Sequence, residues 1–159
     1  MKKYTLLLMA SALAIASAGC GNNDSAKPEN ENEKNVLNNT KEILEKAKDG
    51  TYTGTSSPDN RGGIGKLTVT IKDHKIADVQ FEGIQKDGTV KGEDYGKTNG
   101  EIENKAFYNK AQAAVKANGE YAQALLQKQE ISKVDGISGA TISYKQFLEA
   151  AQDAFEKMK

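Results

Sequence analysis

The chain has no tryptophan, one cysteine, one histidine and two prolines among 159 residues, and its 22 basic side chains balance 22 acidic ones. Each scarcity removes a class of function. A single cysteine, Cys20, forbids an intramolecular disulfide. A single histidine, His74, leaves no set of His and Cys ligands for a metal site and no partner for a hydrolytic triad. A formal charge of zero argues against nucleic acid, which calls for a basic surface. Neither a Rossmann glycine run nor a P-loop is present. The apolar run from Leu6 to Ala16 is too short for a good spanning helix.

That run is informative for another reason. Lys2 and Lys3 precede it and small residues follow it up to Cys20, the order of a secretory signal peptide. Ser17, Ala18, Gly19 and Cys20 resemble a bacterial lipobox, with Ser17 standing where leucine is usual. The resemblance implies removal of residues 1–19 and a diacylglyceryl thioether on Cys20. Acyl chains of the palmitate type would then hold the protein on the extracytoplasmic face of the cell membrane, two or more anchoring durably where one is marginal. The alternative is an accidental thiol behind an ordinary cleaved signal. Residues 20–35 carry nothing large and apolar after the cysteine, so a disordered tether with a reach of about 20 Å r.m.s. is expected.

From Val36 to Lys48 apolar residues recur at helical spacing and Gly50 stops the pattern, defining a helix or linker over 36–49 that either packs on the domain or extends the tether. One domain is expected over 50–159. Thr51 to Ser57 reads as a strand. Leu67, Val69 and Ile71 alternate with Lys66, Thr68, Thr70 and Lys72, the mark of a strand with one buried face, and Ile76 to Phe81 returns from a turn at Asp73 and His74. His74 is a turn residue on this reading. Gln85 to Glu103 is glycine-rich and charged, an exposed excursion. Phe107, Ala111, Ala114 and Val115, then Tyr121, Ala124 and Leu125 beyond Gly119, predict two short helices or one broken helix. Gln129 to Val134 reads as an extended link. Tyr144, Phe147, Leu148, Ala151, Phe155 and Met158 form the apolar stripe of a last helix. The sum is an α+β fold, a small antiparallel sheet packed against helices.

Between link and last helix lies Asp135-Gly136-Ile137-Ser138-Gly139-Ala140-Thr141. A tight turn feeding a helix N-terminus presents unpaired amides and partial positive charge, a natural seat for a phosphate, and Thr141 adds a hydroxyl there. The stretch resembles the flavinylation motif of the FMN-binding domain family: aspartate, two variable positions, Ser or Thr, Gly, Ala, Thr. That family includes peripheral subunits of the sodium-pumping NADH:quinone reductase and of the Rnf complex, and lipoproteins of Gram-positive extracellular electron transfer. The resemblance extends over roughly residues 50–158. It implies that a flavin transferase, using FAD and a divalent metal, attaches FMN by a phosphoester to Thr141, with Asp135, Ser138, Gly139 and Ala140 completing the recognition site. One departure is Tyr144, since the family often has small hydroxyl residues after the position of Ile142. The Glu-Thr-Pro element that lies near the ring in some members is absent from Gln85 to Glu103; Glu93, Asp94 and Tyr95 occupy that region and receive no assigned contact.

Two other readings stand beside this one. The motif could be a plain capping turn, with Thr141 or Ser143 as N-cap and Ser143 with Gln146 as a capping box. The chain would then be a surface lipoprotein that binds a noncovalent phosphate-bearing or small ligand, or a structural or adhesive domain. A third is an enzyme that reduces a specific external substrate directly. The flavin reading makes the chain a membrane-anchored electron carrier without independent catalysis. It would take electrons from a membrane quinone or dehydrogenase and pass them to an extracellular acceptor.

Overall fold

The computed structural model describes residues 36–159. In chain order the elements are α1 (Thr40–Lys46), β1 (Gly50–Thr55), β2 (Ile64–Lys72), β3 (Lys75–Ile84), α2 (Lys105–Lys128), a 3-10 turn (Ile131–Lys133) and α3 (Thr141–Glu156). The strands form one antiparallel sheet in the order β1-β2-β3, giving the α+β fold the sequence predicts. Cys20, the leader and the tether lie outside the described residues.

Alternation makes β2: Leu67, Val69 and Ile71 are buried under the helices. Asp73 and His74 turn the chain with φ of 50° and 60°, the left-handed pair a two-residue hairpin requires. His74 Nδ1 rests 3.2 Å from the Leu44 carbonyl. Thr70 pairs with Asp78 but Ile71 with Ile76, so Ala77 is an extra residue in β3. That bulge brings Ile76 onto the buried face with Val79 and Phe81, which strict alternation would deny it.

α2 and α3 cover this face. Gly54 lets α3 lie directly on β1, since a Cβ there would stand 2.0 Å from the Ala150 carbonyl oxygen and 2.3 Å from the Ala154 nitrogen. α3 also closes the sheet edge. Asp153 and Glu149 accept from the Thr55 and Ser57 N–H groups at 2.8 Å, and Lys157 donates to the Thr53 carbonyl. On the far edge, Gln129 accepts from the Ile76 N–H and donates to its carbonyl, replacing a neighbouring strand.

Two local expectations are corrected. α2 runs unbroken through Gly119. A mid-helix glycine costs about 1 kcal/mol, which burial of Tyr121 and Leu125 outweighs at about 1.5–3 kcal/mol for a large apolar side chain. Residues 131–133 form a 3-10 turn, closed by the Val134 N–H on the Ile131 carbonyl, where an extended link was expected. The open question about residues 36–48 is also answered: Val36, Leu37, Ile43, Leu44 and Ala47 belong to the common core. Thr40, fully buried, accepts from the Ile131 N–H at 3.2 Å and so ties α1 to the approach of the motif.

Candidate functional site

The motif forms a turn that opens α3. The Ala140 N–H donates to the Ile137 carbonyl at 3.0 Å, and Gly139, at φ 82°, takes the position where a side chain would be strained. Ala140 is the N-cap and offers no side-chain cap, and no acid stands in the first turn. Thr141 is the first helical residue and is exposed, as are Asp135, Ser138 and Gly139; Ala140 is buried. The N–H groups of Thr141, Ile142 and Ser143 therefore fall where helical geometry supplies no acceptor.

The capping reading is corrected on this evidence. Ser143 is buried and, with the Asn118 amide oriented to satisfy its neighbours, its Oγ accepts from Asn118 at 3.3 Å. Gln146 donates to the Gly63 carbonyl at 2.8 Å, away from the helix start. Both side chains of the expected box are drawn into tertiary contacts, which leaves the helix end uncapped.

What holds the exposed turn in place lies beneath it. Tyr121, fully buried in α2, accepts from the Ile137 N–H at 3.0 Å and stacks on Phe147 with centroids 5.4 Å apart. Tyr144 donates to the Val134 carbonyl at 2.8 Å. Its ring passes under Gly136, where a Cβ would come within 3.2 Å of it, so the residue that departs from the family pattern supports the motif. Burial pushes the Tyr121 phenol up, against the Ile137 N–H donor. Burial, then the Asp135 carboxylate and Tyr121, push Tyr144 up as well. Both stay neutral posts at physiological pH. Lys128 pairs with Asp135 at 3.0 Å and also donates to the Lys133 carbonyl.

Beside Gly63, whose carbonyl Gln146 of α3 reaches, opens a cleft of about 590 Å³. Its walls are the β1–β2 loop with Asp59 and Arg61, the excursion with Lys91, Tyr95 and Lys97, and Phe107 at the start of α2. Lys91 pairs with Asp59 at 3.2 Å, both side chains nearly buried. Arg61 lies 4.6 Å over the Phe107 ring and Lys91 5.3 Å over Tyr95. Gln146 reaches this wall through Gly63, and Asn118 links Ser143 to the Gly83 N–H. Among the described residues no group of three or more His, Cys, Asp or Glu is placed to hold a metal, and no helix is long and apolar enough to cross a membrane.

An FMN-binding domain model matches residues 61–156, and the chain belongs to that family. Membership supports FMN as the cofactor and the chain as a flavoprotein. No curated protein matches. A crystal structure of the CPE2226 protein from Clostridium perfringens is similar at 24% identity, covering 70% of this chain and 88% of that one with a TM-score of 0.55, and supports the fold. A solution structure from Clostridium thermocellum shares 29% identity over 69% of this chain and 91% of that one, with a TM-score of 0.41.

The residues present fit such a group. Gly139 is open, with nothing within 4 Å of where a Cβ would stand, beside an exposed hydroxyl and free amides suited to a phosphate. The cleft supplies aromatic faces and cations suited to a planar ring. What supports the motif carried no signal in the sequence. Tyr121 and Lys128 sit on α2 with no local marker of their role, and Phe107, expected on the apolar stripe, lies half-buried under Arg61.

Proposed function

We propose that the chain is a membrane-anchored extracytoplasmic electron carrier with FMN joined through a phosphoester to Thr141. The observation that carries the reading is an exposed threonine hydroxyl at an uncapped helix N-terminus, within a complete Asp-x-x-Ser-Gly-Ala-Thr motif in an FMN-binding domain. In the attaching step Thr141 Oγ forms a bond to the FMN phosphorus of FAD, the pyrophosphate P–O bond breaks, AMP leaves and the hydroxyl proton is lost. A flavin transferase with a divalent metal supplies the catalysis. Bound flavin supplies one- and two-electron chemistry, and the protein contributes attachment, orientation and access. Asp135, Ser138 and Gly139 serve as the exposed surface the transferase reads, and Ala140, buried beneath them, completes the recognition site by fixing the turn. A lipid anchor on Cys20 keeps the carrier between a membrane quinone or dehydrogenase donor and an extracellular acceptor.

The test is denaturation of protein purified from its own host. Yellow colour and in-gel fluorescence should persist, a peptide containing Thr141 should gain the mass of FMN less one water, and Thr141→Ala should abolish both. Colour that washes away in denaturant, or modification at another residue, overturns the assignment.

A further inference from the structure

We propose that Arg61 stabilises the negative charge that the flavin ring takes up on reduction, with the ring lying in the cleft against the Arg61–Phe107 stack. The inference rests on FMN being tethered at Thr141 and adds which side chain meets the ring. Four cations line the cleft: Arg61, Lys86, Lys91 and Lys97. Lys91 is neutralised by Asp59 at 3.2 Å and Lys97 by Asp94 at 2.7 Å. Lys91 is also fixed, since its side chain crosses Gly63 and Gly83, where a Cβ would come within 2.7 Å and 2.8 Å of it. Lys86 lays its methylenes over Gly62 and ends in a hydrated point charge on an exposed loop.

Arg61 differs from all three. Like Lys86 and unlike Lys91 and Lys97 it has no ion pair among the described residues, but of these two unpaired cations it alone has a head group oriented by an aromatic face, that of Phe107 at 4.6 Å. Its backbone is pinned as well, because the Arg61 N–H donates to Asp59 Oδ1 at 2.9 Å. The head group thus offers permanent charge and a planar fork of donors that match two adjacent acceptors. Such a pair exists at the N1 and C2 carbonyl edge of a flavin. Reduction adds two electrons and one proton, at N5, to give a ring with one negative charge over that edge; a second proton, at N1, removes the charge. A cation at that edge favours the anion, raises the midpoint potential, and lowers the pH at which the second proton binds.

The experiment is a dithionite titration of the full flavinylated chain against reference dyes across a pH series. Arg61→Gln should shift the midpoint to lower potential and move the break in its pH dependence to higher pH. Arg61→Lys should keep most of the wild-type behaviour, and Lys86→Gln, which removes a hydrated charge from the exposed rim, should shift the midpoint distinctly less than Arg61→Gln. Flavin per chain is read first from absorbance, and only loaded molecules report a potential, so weaker loading does not blur the result. An Arg61→Gln protein with wild-type midpoint and break overturns the inference, as does a Lys86→Gln protein that shifts as far. Either result leaves Thr141 yellow and attached, whereas loss of colour on denaturing the wild type refutes the attachment itself.

Discussion

Tyr121→Phe probes the link between core and motif, because it removes one oxygen and nothing else. The ring is fully buried and stacks on Phe147 at 5.4 Å and against Tyr144 at 5.5 Å, contacts that phenylalanine keeps. What is lost is the acceptor for the Ile137 N–H, 3.0 Å away in the middle of the motif. A typical hydrogen bond contributes about 0.5–1.5 kcal/mol net, and a buried donor left unpaired costs about 1–3 kcal/mol. Ile137 is half-buried, so water reaches part of the site, and the expected loss is about 1–2 kcal/mol.

The assay is urea unfolding followed by far-UV circular dichroism, with Tyr52→Phe as control. Tyr52 donates to the Lys48 carbonyl at 2.9 Å in an exposed setting, so its loss should cost under about 0.5 kcal/mol. Hydrogen exchange adds a local readout: the Ile137 and Ala140 amides should lose protection in Tyr121→Phe while β2 amides fall only by the global change. Equal costs for the two variants would refute the argument that Tyr121 is the post under the turn. Unchanged exchange at Ile137 would do the same.

Two further variants test the frame of the site. Gly54→Ala places a methyl 2.0 Å from the Ala150 carbonyl oxygen, backbone against backbone, and should destabilise by about 1–3 kcal/mol or more in thermal melts; a neutral result contradicts the close approach of α3 to β1. Asp59→Asn tests charge in the cleft wall. Burial alone would raise the Asp59 carboxyl, but the Gly63 and Arg61 N–H donors and the Lys91 ammonium together hold it below its usual value. A folded pKa below the unfolded value of about 4 makes the carboxylate's contribution complete above that pH and lost as pH falls through the folded value. The stability advantage of wild type over Asp59→Asn should therefore be larger at neutral pH than in acid, and an advantage independent of pH refutes the assignment.

The sequence was most legible where periodicity and burial agree. Leu67, Val69 and Ile71 mark β2, and Phe147, Ala151 and Phe155 mark the buried face of α3, with Met158 buried just beyond its end, because a period of two or near four already says which side faces the core. It was least legible where one residue alters the count. Ala77 carries no sign that it is the extra residue of a bulge, yet it decides whether Ile76 is inside. Gly119 looks like a break until Tyr121 and Leu125 are seen in the core beyond it. The cleft could not be read at all, since Asp59, Arg61, Lys91, Tyr95 and Phe107 converge from three separate segments that the hairpin and α2 bring together.

The helix start is the instructive disagreement. Ser143 and Gln146 have the spacing of a capping box, and a chain tuned for stability alone would use it, or place Ser or Asp at position 140, for about 1 kcal/mol. Instead Ala140 is the buried N-cap, Ser143 is tied to Asn118, and Gln146 is tied to Gly63. α2 shows that the fold admits an ordinary cap, since Asn104 accepts from the Phe107 N–H at 2.9 Å. Local rules broken without a compensating contact in the chain itself tend to mark functional positions. Here the exposed amides are open to water or to an anionic hydrogen-bond acceptor beside Thr141, and the phosphate proposed to be joined to that hydroxyl would be such an acceptor.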